Sequence, residues 1–350
     1  MAPVTEEFLA RYPFTEAAKR YVAARSIRLD ELDPDRYRPE IERALERVRE
    51  ALRRGRVSAY GSDQAREVEV LSFPIALALV AAARDGWLAR RWALAEALRS
   101  GRFLEEEDAE TVAGLLAELG VRVERAPRRR EHLGPLTVPV AQYLALASRI
   151  DGPEWRLVNR HLAYGAVHLA PRELARLAVE AIQRRILERV GEAEGLPMPD
   201  HLAELAQKIR LELAERRRRY DEAARGVGEG AWPPCMSRIR ADLLAGQPVG
   251  HFANFALAAF MVNAGYDVDQ VVAMYSQRSD FNERIARYQA EHIAGRRGGG
   301  TKYTPPSCGT MRAMGLCVGE GRLCPGIKNP IQYYRRMRRG VSPATSRGAT

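Results

Sequence analysis

Lysine is scarce in this 350-residue chain, occurring only at Lys19, Lys208, Lys302 and Lys328 among 55 basic residues. A bias of that kind follows genome composition, so arginine runs such as Arg128–Arg130 and Arg216–Arg219 are expected to be solvated charge rather than binding patches. Long apolar runs are missing too. The longest, Phe73–Ala83, is far shorter than the roughly 20 residues a bilayer requires. Met1–Phe14 has no basic stretch followed by an apolar one. A soluble, cytoplasmic protein with no membrane partner is expected. Cysteine is absent from the first 234 residues, which leaves no disulfide framework there.

Common marks of catalysis are also lacking. There is no Gly-x-Ser-x-Gly elbow, and Gly298-Gly299-Gly300-Thr301-Lys302 lacks the spacing of a phosphate loop, which leaves it a flexible connector. Metal-dependent nucleotidyl transfer needs paired carboxylates projecting together, as from positions i and i+2 of a strand. Asp33 and Asp35 bracket a proline in a turn. Asp267 and Asp269 stand at a helix start, where acidic residues favour the helix dipole without a catalytic role. No polymerase active site is expected in the chain.

What is present is ordinary globular material, 46% hydrophobic and 29% charged, long enough for two cores. The formal charge is +10, and it is unevenly placed: residues 235–350 hold sixteen basic and seven acidic side chains, against a nearly balanced remainder. A basic C-terminal third suits an acidic partner such as nucleic acid, although high basicity also fits thermophile proteins.

Apolar positions recur at helical spacing in Ile41–Leu52 and Leu71–Ala83, so the first hundred residues are expected to be helical. Between about 103 and 170 the pattern changes. Val121 and Val123, then Leu136, Val138 and Val140, alternate as strands do, and Ala166–Leu169 is another candidate strand in a small α/β insert. Pro171 then stands where a first helical residue should, ahead of an apolar stripe of Leu174, Leu177, Ala178, Ala181 and Ile182. A polar helix from His201 to about Ala224 leads into Gly226-Val227-Gly228-Glu229-Gly230. The domains are therefore expected at 1–225 and 235–340, with a linker at 226–234 and a disordered tail at 341–350. Helices are expected at about 236–245, 251–264 and 268–277. The fold class is mainly α: a helical N-terminal domain with a small α/β insert, and an all-helical C-terminal domain.

All four cysteines, Cys235, Cys308, Cys317 and Cys324, fall in that last third, separated by 72, 8 and 6 residues. Structural zinc favours close pairs with two to four intervening residues, and none exists here. Four thiolates are the complement of a 4Fe-4S cluster, which accepts wide gaps when separate segments converge. Pro305-Pro306 before Cys308, Gly309 after it, and Pro325-Gly326 after Cys324 restrict the backbone while leaving peptide N–H groups free to approach sulphide. A cluster is the first reading. Zinc and buried free thiols stay as alternatives.

Pro234-Cys235-Met236, Gly250-His251-Phe252-Ala253-Asn254-Phe255-Ala256-Leu257, Arg287-Tyr288-Gln289-Ala290-Glu291-His292 and Tyr303-Thr304-Pro305-Pro306-Ser307-Cys308, with the last two cysteines, resemble the large subunit of archaeal and eukaryotic DNA primases in order and separation. Glu154-Trp155-Arg156-Leu157-Val158-Asn159-Arg160 followed by Gly165-Ala166-Val167 is similar to a stretch in the archaeal members. The resemblance implies that the four cysteines hold the cluster. It implies an N-terminal domain docked on a catalytic small subunit, in a heterodimer that makes RNA primers. It further implies that the C-terminal domain holds single-stranded template and the triphosphate of the initiating nucleotide. His251 becomes a candidate phosphate contact. Eukaryotic members carry an arginine three residues later, where this chain has Asn254, which has no charge and forms no bidentate fork.

Aromatics interleaved with cations suit single strands, since rings stack on bases while cations neutralise phosphates. On that basis Tyr275, Arg284, Arg287, Tyr288, Lys302, Tyr303 and Arg312 are candidate contacts, with Tyr288 and Tyr303 favoured because they belong to matched motifs. His292 is expected to make an internal hydrogen bond. Two other readings differ in class: an iron-sulphur repair or nuclease protein acting without a partner, and an RNA- or single-strand-binding scaffold whose cysteines are merely packed.

Overall fold

The computed structural model describes residues 5–25, 27–59, 66–150, 152–224, 231–245, 247, 249–276, 278 and 280–339. The chain forms two compact units, Met1–Leu213 and Ala214–Thr350. It is mainly α. In the first unit come α1 (Glu6–Arg11), α2 (Glu16–Ala23), α3 (Arg38–Arg54), α4 (Arg66–Ala83), α5 (Gly86–Leu104), α6 (Ala109–Glu118), α7 (Val140–Ala147), α8 (Pro171–Glu192) and most of α9 (Asp200–Ala224). Between α6 and α8 lies a sheet of β1 (Glu124–Arg125), β2 (Leu136–Pro139), β3 (Leu162–Ala163) and β4 (Ala166–Leu169), all antiparallel in the order β1-β2-β4-β3.

Local signals account for these elements. Pro39 in the first turn and Gly55 in the left-handed region bracket α3, whose Ile41, Ala44, Val48, Ala51 and Leu52 face the core. Asp85 starts α5 by accepting from Leu88 N at 2.9 Å. α4 is buried nearly all round, as its lack of a polar face requires. α8 crosses α5 closely at Gly101, where an added Cβ would come within 2.5 Å of Val179 Cγ2.

The first core also contains charge. Glu69 accepts from Arg43 Nε at 2.6 Å and Arg47 Nη1 at 3.0 Å, and pairs with Arg99, while Glu96 accepts from Arg47 at 2.8 and 2.9 Å. All five side chains are buried. Burial pushes the Glu69 carboxyl up, but Arg47, Arg99 and Arg43 outweigh it and hold it below its ordinary 4.5. Arg99, buried and beside Arg47, is driven down to about 10.

Two strand expectations shift. Val121 is not in a strand: its N–H bonds Leu116 O at 2.9 Å, satisfying the end of α6 after Gly120 turns left-handed, and pairing starts at Glu124. Val140 begins α7 rather than extending β2, its N–H held by Gly165 O at 2.9 Å. Ala166–Leu169 is β4, with Val167 opposite Val138 and both fully buried.

The second unit takes the end of α9, then α10 (Pro234–Leu244), α11 (His251–Ala264), α12 (Val268–Tyr275), α13 (Glu283–Ile293), α14 (Cys308–Ala313) and α15 (Pro330–Arg338) around a core of Met236, Leu257, Phe260, Met261, Val271 and Met274. The contact boundary falls inside α9 because that helix's end packs here. Arg216, far from being solvated, is 8% exposed, with its guanidinium 5.2 Å from the Tyr220 ring and 5.9 Å from the Phe281 ring. The glycine-rich stretch at 226–230 and the tail at 341–350 lie outside the described residues. Among the described residues no helix is long and apolar enough to cross a membrane.

Candidate functional site

The four cysteines arrive from three segments. Pro233 and Pro234 start α10 and put Cys235 in its first turn. Cys308 is the first residue of α14, whose cap is Ser307, accepting from Thr310 N at 3.1 Å. Its own N–H reaches Lys328 O at 2.9 Å, which draws the segment after Cys324 alongside. Gly315 and Gly326, both left-handed, turn the chain before Cys317 and after Cys324.

The result is one cavity lined by all four cysteines together with Pro233, Met311, Arg312, Val318, Ile327 and Tyr333. Each cysteine is a free, half-buried thiol. Each lies within electrostatic reach of the other three. Burial, then the neighbouring cysteines, push the Cys235 thiol up to about 12 and raise Cys308 and Cys324 in the same direction. Among the described residues the wall contains no carboxylate or imidazole. Among the described residues no three His, Cys, Asp or Glu side chains are grouped as ligands of a single metal ion.

The other candidates divide into two sets. Tyr288, 53% exposed, lies parallel to His292 with centroids 6.4 Å apart, and His292 meets Tyr303 at 5.4 Å. The Tyr303 hydroxyl is 3.3 Å from His292 Nε2, and its ring stands edge-on to Phe255. Arg284 and Lys302 are exposed, and Arg287 pairs with Asp269 at 2.7 Å. Together these residues form an aromatic face on α13 and the segment before α14, with cations around it. His251 opens α11, exposed beside that helix's free N–H groups.

Tyr275 and Asn254 are engaged inside the domain instead. The Tyr275 hydroxyl donates to Asn254 O at 2.7 Å, burial holds its phenol above the ordinary range, and the Asn254 amide donates to Val249 O at 3.0 Å. Arg312 sits in the wall of the thiol cavity. The carboxylate pairs serve the backbone or an arginine: Asp33 accepts from the N–H groups of Asp35 and Arg36, Asp267 caps α12, and Asp269 holds Arg287.

Sequence reasoning gave no contact role to His292 or Arg297, whose guanidinium lies 5.8 Å from the Tyr288 ring. The four-residue spacing of Tyr288 and His292 in one helix was the available signal. In the first unit, Arg160 of the Glu154–Arg160 stretch grips Glu173 at 2.6 and 2.8 Å, which anchors that motif to the start of α8. Val158, Leu162 and Tyr164, at and beside the outer strand β3, are 86%, 51% and 89% exposed.

Residues 10–195 match the N-terminal domain of the eukaryotic and archaeal DNA primase large subunit, and residues 226–344 match the C-terminal domain of the same protein. The chain belongs to the DNA primase large-subunit family. Among its relatives, the DNA primase large subunit PriL of Methanococcoides burtonii is 34% identical over 343 residues, covering 94% of this chain and 91% of the relative. That of Halobacterium salinarum is 35% identical over 342 residues, covering 93% and 92%. That of Methanocella arvoryzae is 32% identical over 332 residues, covering 94% and 88%. The primase family's two domains thus span both compact units.

Proposed function

We propose that the chain is the non-catalytic large subunit of a cytoplasmic DNA primase, carrying one 4Fe-4S cluster and holding single-stranded template, RNA primer and the initiating nucleoside triphosphate for a catalytic small subunit. The observation that carries this reading is the meeting of four widely spaced cysteines at one cavity, in the domain that matches the C-terminal part of the primase family.

The donor set fits the group. Among the described residues the wall offers four sulphurs and no oxygen or imidazole donor, a set that suits iron-sulphur ligation. Cys235, Cys308, Cys317 and Cys324 would be the ligands. When bound, the cluster supplies a covalent junction between α10, α14 and the segment before α15. The protein's own part in initiation is to hold and orient. His251 and the N–H groups opening α11 favour a triphosphate, Tyr288 and Tyr303 offer ring faces to bases, and Arg284 and Lys302 neutralise phosphates. Docking of the small subunit is supported by the exposed Val158, Leu162 and Tyr164, since large apolar side chains left in water mark association surfaces.

The test is anaerobic purification with and without the small subunit. A brown protein with equal iron and inorganic sulphide, making primers only as the heterodimer, supports the proposal. Stoichiometric zinc without iron, or nuclease activity of the chain alone that one Asp substitution abolishes, would sink it.

A further inference from the structure

Among the described residues, the wall of the thiol cavity contains one charged side chain, Arg312. It stands one turn beyond Cys308 on α14, and residues four apart share a helix face, so its cation and that thiol are on the same side. Among the described residues Arg312 has no carboxylate partner. That sets it apart from Arg287 and Arg297, which are paired with Asp269 and Glu291. The other described residues of the wall, including Met311, Val318, Ile327 and Tyr333, are uncharged.

Resting on the reading that these cysteines hold an iron-sulphur cluster, we infer that Arg312 is an electrostatic positioning residue that raises the cluster's affinity for an electron. Reduction adds one electron from an external donor, makes or breaks no bond and moves no proton, so the cluster and its thiolates gain one negative charge. A cation in the wall favours the more negative state. Net charge and solvent exposure around the sulphurs are among the quantities that set such potentials. Because Arg312 is itself open to solvent, screening limits the effect to a modest one.

The experiment is mediated redox titration of the full-length chain, with dithionite as reductant, on Arg312→Gln, Arg312→Met and Arg312→Lys. Arg284→Gln serves as a control that removes the same charge from an exposed helix face outside the cavity wall. With iron content equal to the native protein, both neutral variants are expected to hold the electron about tenfold more weakly, a fall of about 59 mV for a one-electron couple. Arg312→Lys is expected to recover most of the loss, and Arg284→Gln to leave the midpoint in place. A native protein without iron would mean that the cluster reading itself has failed. With iron present, an unmoved midpoint in the neutral variants, or an equal shift in Arg284→Gln, would overturn the inference. So would loss of iron from the Arg312 variants, which would make the residue part of cluster assembly.

Discussion

Glu69 lies among Arg43, Arg47 and Arg99 inside a core built largely of aliphatic and aromatic side chains. A buried ion network adds little over apolar packing, yet removing one partner leaves charge stranded out of water. Glu69→Gln is therefore expected to destabilise the first unit by about 3–5 kcal/mol in denaturant melts monitored by helicity. Its depressed carboxyl also sets a pH dependence. A folded value below the ordinary 4.5 contributes stability that is present above 4.5 and lost as pH falls through the folded value. Acid unfolding of that unit should accordingly be blunted in the glutamine variant. At the other end of the chain, Cys317→Ser should remove the brown colour and lower the melting temperature of the second unit, because a metal centre that joins segments contributes folding energy. A thiol that was only packed would leave the melt nearly unchanged. Sequence could name the cysteines because each residue type has few uses. Alternation of aromatics and cations did not by itself separate Tyr288 from Tyr275, since it looks the same whether a ring faces water or its hydroxyl is bound to Asn254, and only its place in a matched motif favoured Tyr288.

Among the elements, α5 and α8 depend on a missing side chain. Gly101→Ala places a methyl 2.5 Å from the stiff, β-branched Val179, and overpacking of this kind should lower stability by about 1–3 kcal/mol by chemical denaturation. Paired with Val179→Ala, much of that loss should return. The sheet's outer strand bears on assembly instead. Leu162→Asp, on a half-exposed position, should leave the circular dichroism and melting of the free chain in place while weakening capture of the small subunit. Unchanged capture would move the docking surface elsewhere. Helices such as α8 and α11 were legible from periodicity and caps, and β4 from its short apolar run. Val121 and Val140 misled because alternation over two or three residues also describes a helix end and a helix start. Which it is depends on where the neighbouring carbonyls lie.

For the whole molecule, charge placement predicts behaviour in solution. With most of the +10 in residues 235–350, single-strand binding should weaken with salt at a slope near −0.7 for each phosphate neutralised, measured by fluorescence anisotropy. Tyr288→Ala should cost about 1–3 kcal/mol at every salt concentration without changing that slope, as loss of stacking rather than of charge. Composition, spacing and helical periodicity were enough to determine a mainly α chain with a small α/β insert, a primase large-subunit likeness, and four cysteines awaiting a common purpose, because each of those rests on residue identity and local repeat. Only the tertiary structure decided that the thiols share one cavity, that Arg312 belongs to its wall, that Tyr288, His292 and Tyr303 form one face, and that Arg43, Arg47, Glu69, Glu96 and Arg99 meet in a buried network inside the first core. Most of those are relations between segments far apart in the chain, set by how helices pack, and a local pattern such as the four-residue spacing of Tyr288 and His292 encodes only a part of them.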